Sequence, residues 1–140
     1  MKTEEVHEYK NISIEIFECS VSVPRYAECI RLLHKDKEWF DTEEDYYQGD
    51  WFAVGVDKEG KWYYHQGTFG SCSGCDWHEG LKDLKDAKEY IDDMEKLVPI
   101  GTKTDAIAYL EETKKNLWNN GKKELQKCID FINGEIKNEN

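Results

Sequence analysis

Near the N-terminus, Ile12, Ile14 and Ile16 alternate with Ser13 and Glu15. A period of two puts the isoleucines on one face and predicts a half-buried strand over 12–18. The period then lengthens. Tyr26, Ile30 and Leu33 recur at helical steps behind Pro24, a residue that a first helical turn accepts, so a short helix is expected over about 24–35. Residues 51–56 and 61–66 return to the shorter period and flank Asp57, Lys58, Glu59 and Gly60, which reads as a β-hairpin. With Lys58, Glu59 and Gly60 as the loop, Gly60 takes the left-handed position and Asp57 faces Lys61. Val56, Val54 and Phe52 then oppose Trp62, Tyr64 and Gln66, while Ala53 and Gly55 oppose His65 and Tyr63. One face of the hairpin is bulky and apolar, the other lighter, and a slip of one residue would mix them.

Beyond a glycine-rich loop at 67–76, Trp77, Leu81, Leu84, Ala87, Ile91, Met94 and Val98 recur at steps of three and four, the signature of an amphipathic helix. Its cap is either Asp76, with Glu79 completing a capping box, or Asp83, which Gly80 favours. Pro99, Ile100 and Gly101 break it, although residues 96–100 can alternatively be read as a short strand. Thr104 is the expected cap of the next helix, with Asp105 in its first turn and Ala106, Leu110, Thr113 and Leu117 on its inner face. Asn119, Asn120 and Gly121 are read as its stop. A last helix carries Leu125, Cys128, Ile129, Ile132 and Ile136. Together these elements predict an α+β fold: a small antiparallel sheet, made of the central hairpin 51–66 plus the N-terminal strand, packed by three to four helices.

Length and composition narrow the picture. The 140 residues fit a single domain spanning 1–140. Aromatic residues make up 13% of the chain, so a few large rings supply much of the core. The net charge is −11, from 30 acidic and 19 basic residues. Such a polyanion repels nucleic acid and anionic lipid and favours a basic protein surface as partner. No apolar run reaches the ~18 residues of a membrane span, and residues 1–10 lack an apolar signal core. Five cysteines, Cys19, Cys29, Cys72, Cys75 and Cys128, form an odd set without an export signal. Reduced thiols in the cytoplasm are therefore expected.

Cys72 and Cys75 are the arrangement with the most chemical content. Two thiolates three positions apart can grip one zinc ion, and His78 and His65 are the imidazoles available to complete a Cys2His2 set. A second reading is a redox pair or a thiol nucleophile, which Asp76 opposes electrostatically by following Cys75. A third reading is a small packed loop in which neither thiol does chemistry. Gly67, Gly70 and Gly74 match no phosphate-binding fingerprint. The segment Gly-Ser-Cys-Ser-Gly-Cys-Asp-Trp at 70–77, with the preceding Trp-Tyr-Tyr-His-Gln-Gly-Thr-Phe, resembles that of small uncharacterised proteins carried by bacteriophages and their hosts. The resemblance spans roughly the middle third of the chain and implies a phage-linked, intracellular context rather than an activity.

Residues 36–50 carry seven carboxylates interleaved with Trp39, Phe40, Tyr46 and Tyr47. Asp41, Glu43, Glu44 and Asp45 can stand in for phosphates against a cationic surface while the rings supply anchoring area. Alternatively, the acids form a solvated face and the rings reach back to the core. There is no Gly-x-Ser-x-Gly nucleophile signal, and no carboxylate pair stands out among thirty acids, so no catalytic residue is assigned. The reading is a non-enzymatic acidic module acting as a stoichiometric inhibitor of a basic nucleic-acid-binding or host-defence protein. The alternatives are a small zinc-stabilised domain, a thiol enzyme, and a pocket for a small molecule beside Trp62 and Tyr64.

Overall fold

The computed structural model describes residues 5–18, 20–44, 48–70 and 76–136. In chain order the elements are β1 (Glu5–Tyr9), β2 (Ile12–Ile16), β3 (Val21–Ser22), α1 (Tyr26–Leu33), β4 (Glu38–Glu43), β5 (Gly49–Val56), β6 (Trp62–Phe69), α2 (Leu84–Glu95), β7 (Val98–Gly101), α3 (Lys103–Lys114) and α4 (Asn119–Ile132). The fold is α+β, as the patterning predicts, but with two antiparallel sheets, ordered β1-β2-β3 and β4-β5-β6-β7. The N-terminal strand does not join the hairpin sheet; it pairs with β1 and β3. The chain falls into two compact units, Met1–Lys35 with Phe69–Lys96 and Asp36–Thr68 with Leu97–Asn140. Among the described residues no helix is long and apolar enough to cross a membrane.

The first unit is built on the β1–β2 hairpin. Its turn residues Lys10 and Asn11 both lie at positive φ, 51° and 70°, the mirror-image turn whose twist matches paired strands. Lys-Asn is a weak hairpin signal compared with Asn-Gly, which is why β1 escapes the sequence reading. Lys10 bonds Asp92 at 2.8 Å and Glu95 at 2.7 Å, and the Tyr9 hydroxyl donates to Asp92 at 2.8 Å, fastening the turn to α2. Ile12 and Ile14 are fully buried, as their alternation requires. Helices α1 and α2 pack on β2 and on each other, burying Cys29, Ile30, Ala87, Tyr90, Ile91 and Met94. Asp83 caps α2 through the Asp86 amide at 2.9 Å, so the later of the two predicted starts is the real one.

The second unit contains the predicted hairpin. Gly60 has φ 82°, and the Asp57 amide donates to the Lys61 carbonyl at 3.0 Å, which fixes the expected loop. Phe52, Val54, Trp62 and Tyr64 share one core with Leu110, Leu125, Ile129 and Phe131 of α3 and α4. On β5, residues 51–55 are all buried. Two indoles lie flat on glycines there. A Cβ at Gly55 would stand 2.8 Å from the Trp39 ring, and one at Gly67 would stand 2.6 Å from the Trp51 ring. Only glycine fits under either ring.

One alternative is decided and two local expectations are corrected. Of the two readings of residues 96–100, the short strand is the one observed: Val98–Gly101 form β7, which pairs with β6 across a bulge between Trp62 and Tyr63. The cap of α3 is Thr102, not Thr104, in a reciprocal capping box with Asp105. Asn119, Asn120 and Gly121 open α4 rather than stop α3, because Gly121 is buried against Leu117 and so belongs to the helix.

Candidate functional site

The described ends of the Cys-Ser-Gly-Cys loop are held by Asp76. This carboxylate is 2% exposed, yet fully engaged. It accepts from the Tyr26 hydroxyl at 2.5 Å, the Gly70 amide at 3.1 Å and the Glu79 amide at 3.4 Å. Burial alone pushes the Asp76 carboxyl up, but those hydrogen bonds and the nearby Arg25 charge together hold it below the usual carboxylate range. So Asp76 does cap, as its spacing to Glu79 suggests, but it caps a turn that ends at Gly80 and not a helix.

Tyr26 is the hub. Its hydroxyl also accepts from the His78 amide at 3.2 Å, and its own amide donates to the Tyr90 hydroxyl at 2.5 Å. Tyr90 in turn donates to the Pro24 carbonyl at 3.1 Å, and His78 Nε2 donates to the Val23 carbonyl at 2.6 Å. Burial, then the bond to Asp76, pushes the Tyr26 phenol up to about 12. The backbone of Tyr26 sits at φ 29°, a left-handed geometry that costs on the order of 1–3 kcal/mol and is held from both ends by this network.

Beside the network lies a cleft of about 580 Å3. Ser13 and Glu15 of β2, Ser22 of β3, Val23, Pro24, Arg25, Glu28 and Leu32 of α1, and His78 line it. It carries charges of both signs. The Arg25 guanidinium lies 5.1 Å from the centre of the Tyr26 ring and 5.4 Å from that of Phe69, and its charge acts on buried Asp76. Glu15 and Glu28 are exposed. The lining thus carries two carboxylates, one guanidinium, two serines and an apolar strip. Sequence reasoning missed this site. The signal was the polar half of the β2 alternation, Ser13 and Glu15, which the search for a core passed over.

The residues singled out from sequence fall in both units, and several lie outside the described residues. Trp39 is buried and Phe40 is half-buried, stacked on Phe131 at 4.9 Å, so both rings serve the second unit's interior rather than standing out as anchors. Asp41 is half-buried, Glu43 exposed, and Glu44 accepts the Asp50 amide. They lie on or just after β4, an edge strand, where charge also discourages strand addition. Asp45, Tyr46 and Tyr47 lie outside the described residues, as do Cys72 and Cys75. Of the imidazoles named as metal ligands, His78 belongs to the first unit and His65 to the second, where it packs against the Trp51 ring at 5.3 Å. Among the described residues no group of three or more His, Cys, Asp or Glu side chains is placed to hold a metal ion. Cys29 and Cys128 are buried, and burial pushes both thiols up to about 12, away from nucleophilic character. Trp62 and Tyr64 are core residues. No family model, no curated protein and no solved structure matches the chain.

Proposed function

We propose that the protein is a non-catalytic binding module that receives a cationic protein segment in the first unit's cleft and inhibits its basic partner by covering it. The observation that carries this reading is the charge arrangement of that cleft. Two carboxylates, Glu15 and Glu28, are exposed on a lining that carries one guanidinium, Arg25, which also acts on buried Asp76. The net charge of −11 adds long-range attraction for the same class of partner and speeds encounter. The cleft is wide enough for one or two side chains and the backbone that joins them. The exposed acids of β4 extend the field but bring no exposed ring among the described residues, so they steer rather than anchor.

The test is calorimetric titration with a Lys- and Arg-rich peptide. Combined Glu15→Gln and Glu28→Gln should weaken binding roughly three- to tenfold, the effect of two partly solvated ion pairs. Combined Glu43→Lys, Glu44→Lys and Asp45→Lys should change the on-rate more than the off-rate. Unchanged affinity in the cleft variant, or loss of affinity only in the β4 variant, refutes the cleft as the site.

A further inference from the structure

The second unit separates its charges along the chain. Residues 36–68 hold nine acidic and three basic side chains, whereas residues 97–140 hold seven of each. Within the latter, Lys114, Lys115, Lys122, Lys123 and Lys127 flank one tryptophan, Trp118, along the sequence. Lys114 is tied to Glu111 and Gln126, Lys115 to Glu112, and Lys127 to Glu124. Lys122 and Lys123 are exposed and make no ion pair among the described residues.

Trp118 is 89% exposed, by far the most exposed large apolar side chain among the described residues. A tryptophan left in water forgoes a contact area of about 150–250 Å2 and is the residue type most enriched at energetic centres of interfaces. Acids stand close by. A Cβ at Gly121 would lie 3.8 Å from Asp50 Oδ2, and the Asp50 amide is bound by Glu44. The same end of α4 therefore offers an exposed ring, free lysines and two half-buried carboxylates, of which Glu44 also holds the Asp50 amide. A patch carrying both signs around an apolar centre is self-complementary, which is what a two-fold contact between identical surfaces demands.

We propose that this end of α4 is a self-association surface, at which two copies of the chain meet through Trp118 with Lys122 and Lys123 of each copy facing Glu44 and Asp50 of the other. The occupant is a second copy because the chain itself supplies the acidic complement at the required place. One ring per copy is a small part of the ~800 Å2 per partner that stable interfaces bury, so the dimer is weak, with a dissociation constant in the micromolar range or above.

Sedimentation of the full chain over a micromolar to millimolar series tests this. The average mass should climb toward two chains. Trp118→Ala should raise the dissociation constant at least roughly tenfold with an unchanged melting temperature, since the ring packs on nothing that folding needs. Combined Lys122→Glu and Lys123→Glu should give a monomer, as should Glu44→Lys. Mixing the two variants should restore a heterodimer, which also shows that each is folded. A wild type monomeric throughout, a dimer indifferent to Trp118→Ala, or failure of the mixed variants to associate overturns the proposal. So does tight, Trp118-dependent binding of a single-stranded oligonucleotide, because stacked bases and phosphates would then be the occupant.

Discussion

The two units stabilise themselves by different means. The first adds a polar network to its apolar interior: Asp76, Tyr26, Tyr90 and His78 form one continuous set of hydrogen bonds around the left-handed backbone of Tyr26. The second relies on shape, with Phe131 stacked on Phe40 and edge-on to Trp62, and two indoles pressed onto Gly55 and Gly67. A hydrogen-bonded core fails when a partner changes its protonation, whereas a close-packed core fails when volume is added. Each unit should therefore be breakable by a perturbation that the other tolerates.

The largest effect is expected from Gly67→Ala. The added methyl would meet a buried, immobile indole at 2.6 Å, and overpacking of this kind costs about 1–3 kcal/mol or more. Chemical denaturation should show it, with hydrogen exchange accelerating in β5 and β6 but not in α2. Gly55→Ala should behave alike under Trp39. Next is Asp76→Asn, which forfeits charge-assisted bonds to Tyr26 and two amides, for about 1–3 kcal/mol confined to the first unit.

Acid sharpens the contrast. Because Asp76 is held below its unfolded value, its contribution is complete above that value, near 3.8, and is lost as pH falls through the folded one. Asp92, held down by Lys10, adds to the same loss in the first unit. In the second unit, burial and then Glu44 raise Asp50, so its contribution grows as pH falls, while Asp57, lowered by the Lys61 amide, works the other way. Acid titration followed residue by residue should show β2, α1 and α2 melting before β5 and α4. Thr102→Ala should cost about 1 kcal/mol by removing one half of a capping box, in the second unit alone. The smallest effect is a null one: Cys29 and Cys128 in the native protein should alkylate far more slowly than a peptide thiol at neutral pH.

What could be read from the chain divides along the same line. Periodicity revealed β2, the hairpin, α2 and the last helix, because each buries one face of a regular element and Gly60 is required where φ reaches 82°. It was silent on β4, whose acids disguised a strand that pairs with β5 through every residue from Glu38 to Glu43. It was also silent on β1, which lacks a strong turn pair. Alternation cannot say which strand pairs with which, so it does not reveal that the N-terminal strand pairs with β1 and β3 and not with the hairpin. The cleft was illegible for another reason. Its lining comes from β2, β3, α1 and the turn after the loop, and no local pattern announces that Ser13, Glu28 and His78 meet. Even so, the alternation that buries Ile12 and Ile14 leaves Ser13 and Glu15 facing out, so one wall of the site was written in plain sight.

The claim on which the functional reading depends is that positive charge enters between Glu15 and Glu28. Nuclear magnetic resonance mapping of a Lys- and Arg-rich peptide on the isotopically labelled protein tests it directly. The account predicts shift changes concentrated at Ser13, Glu15, Ser22 and Glu28, with β4 nearly silent. Changes centred on Glu38 to Glu44, or an equal response to a Glu-rich peptide, would contradict it.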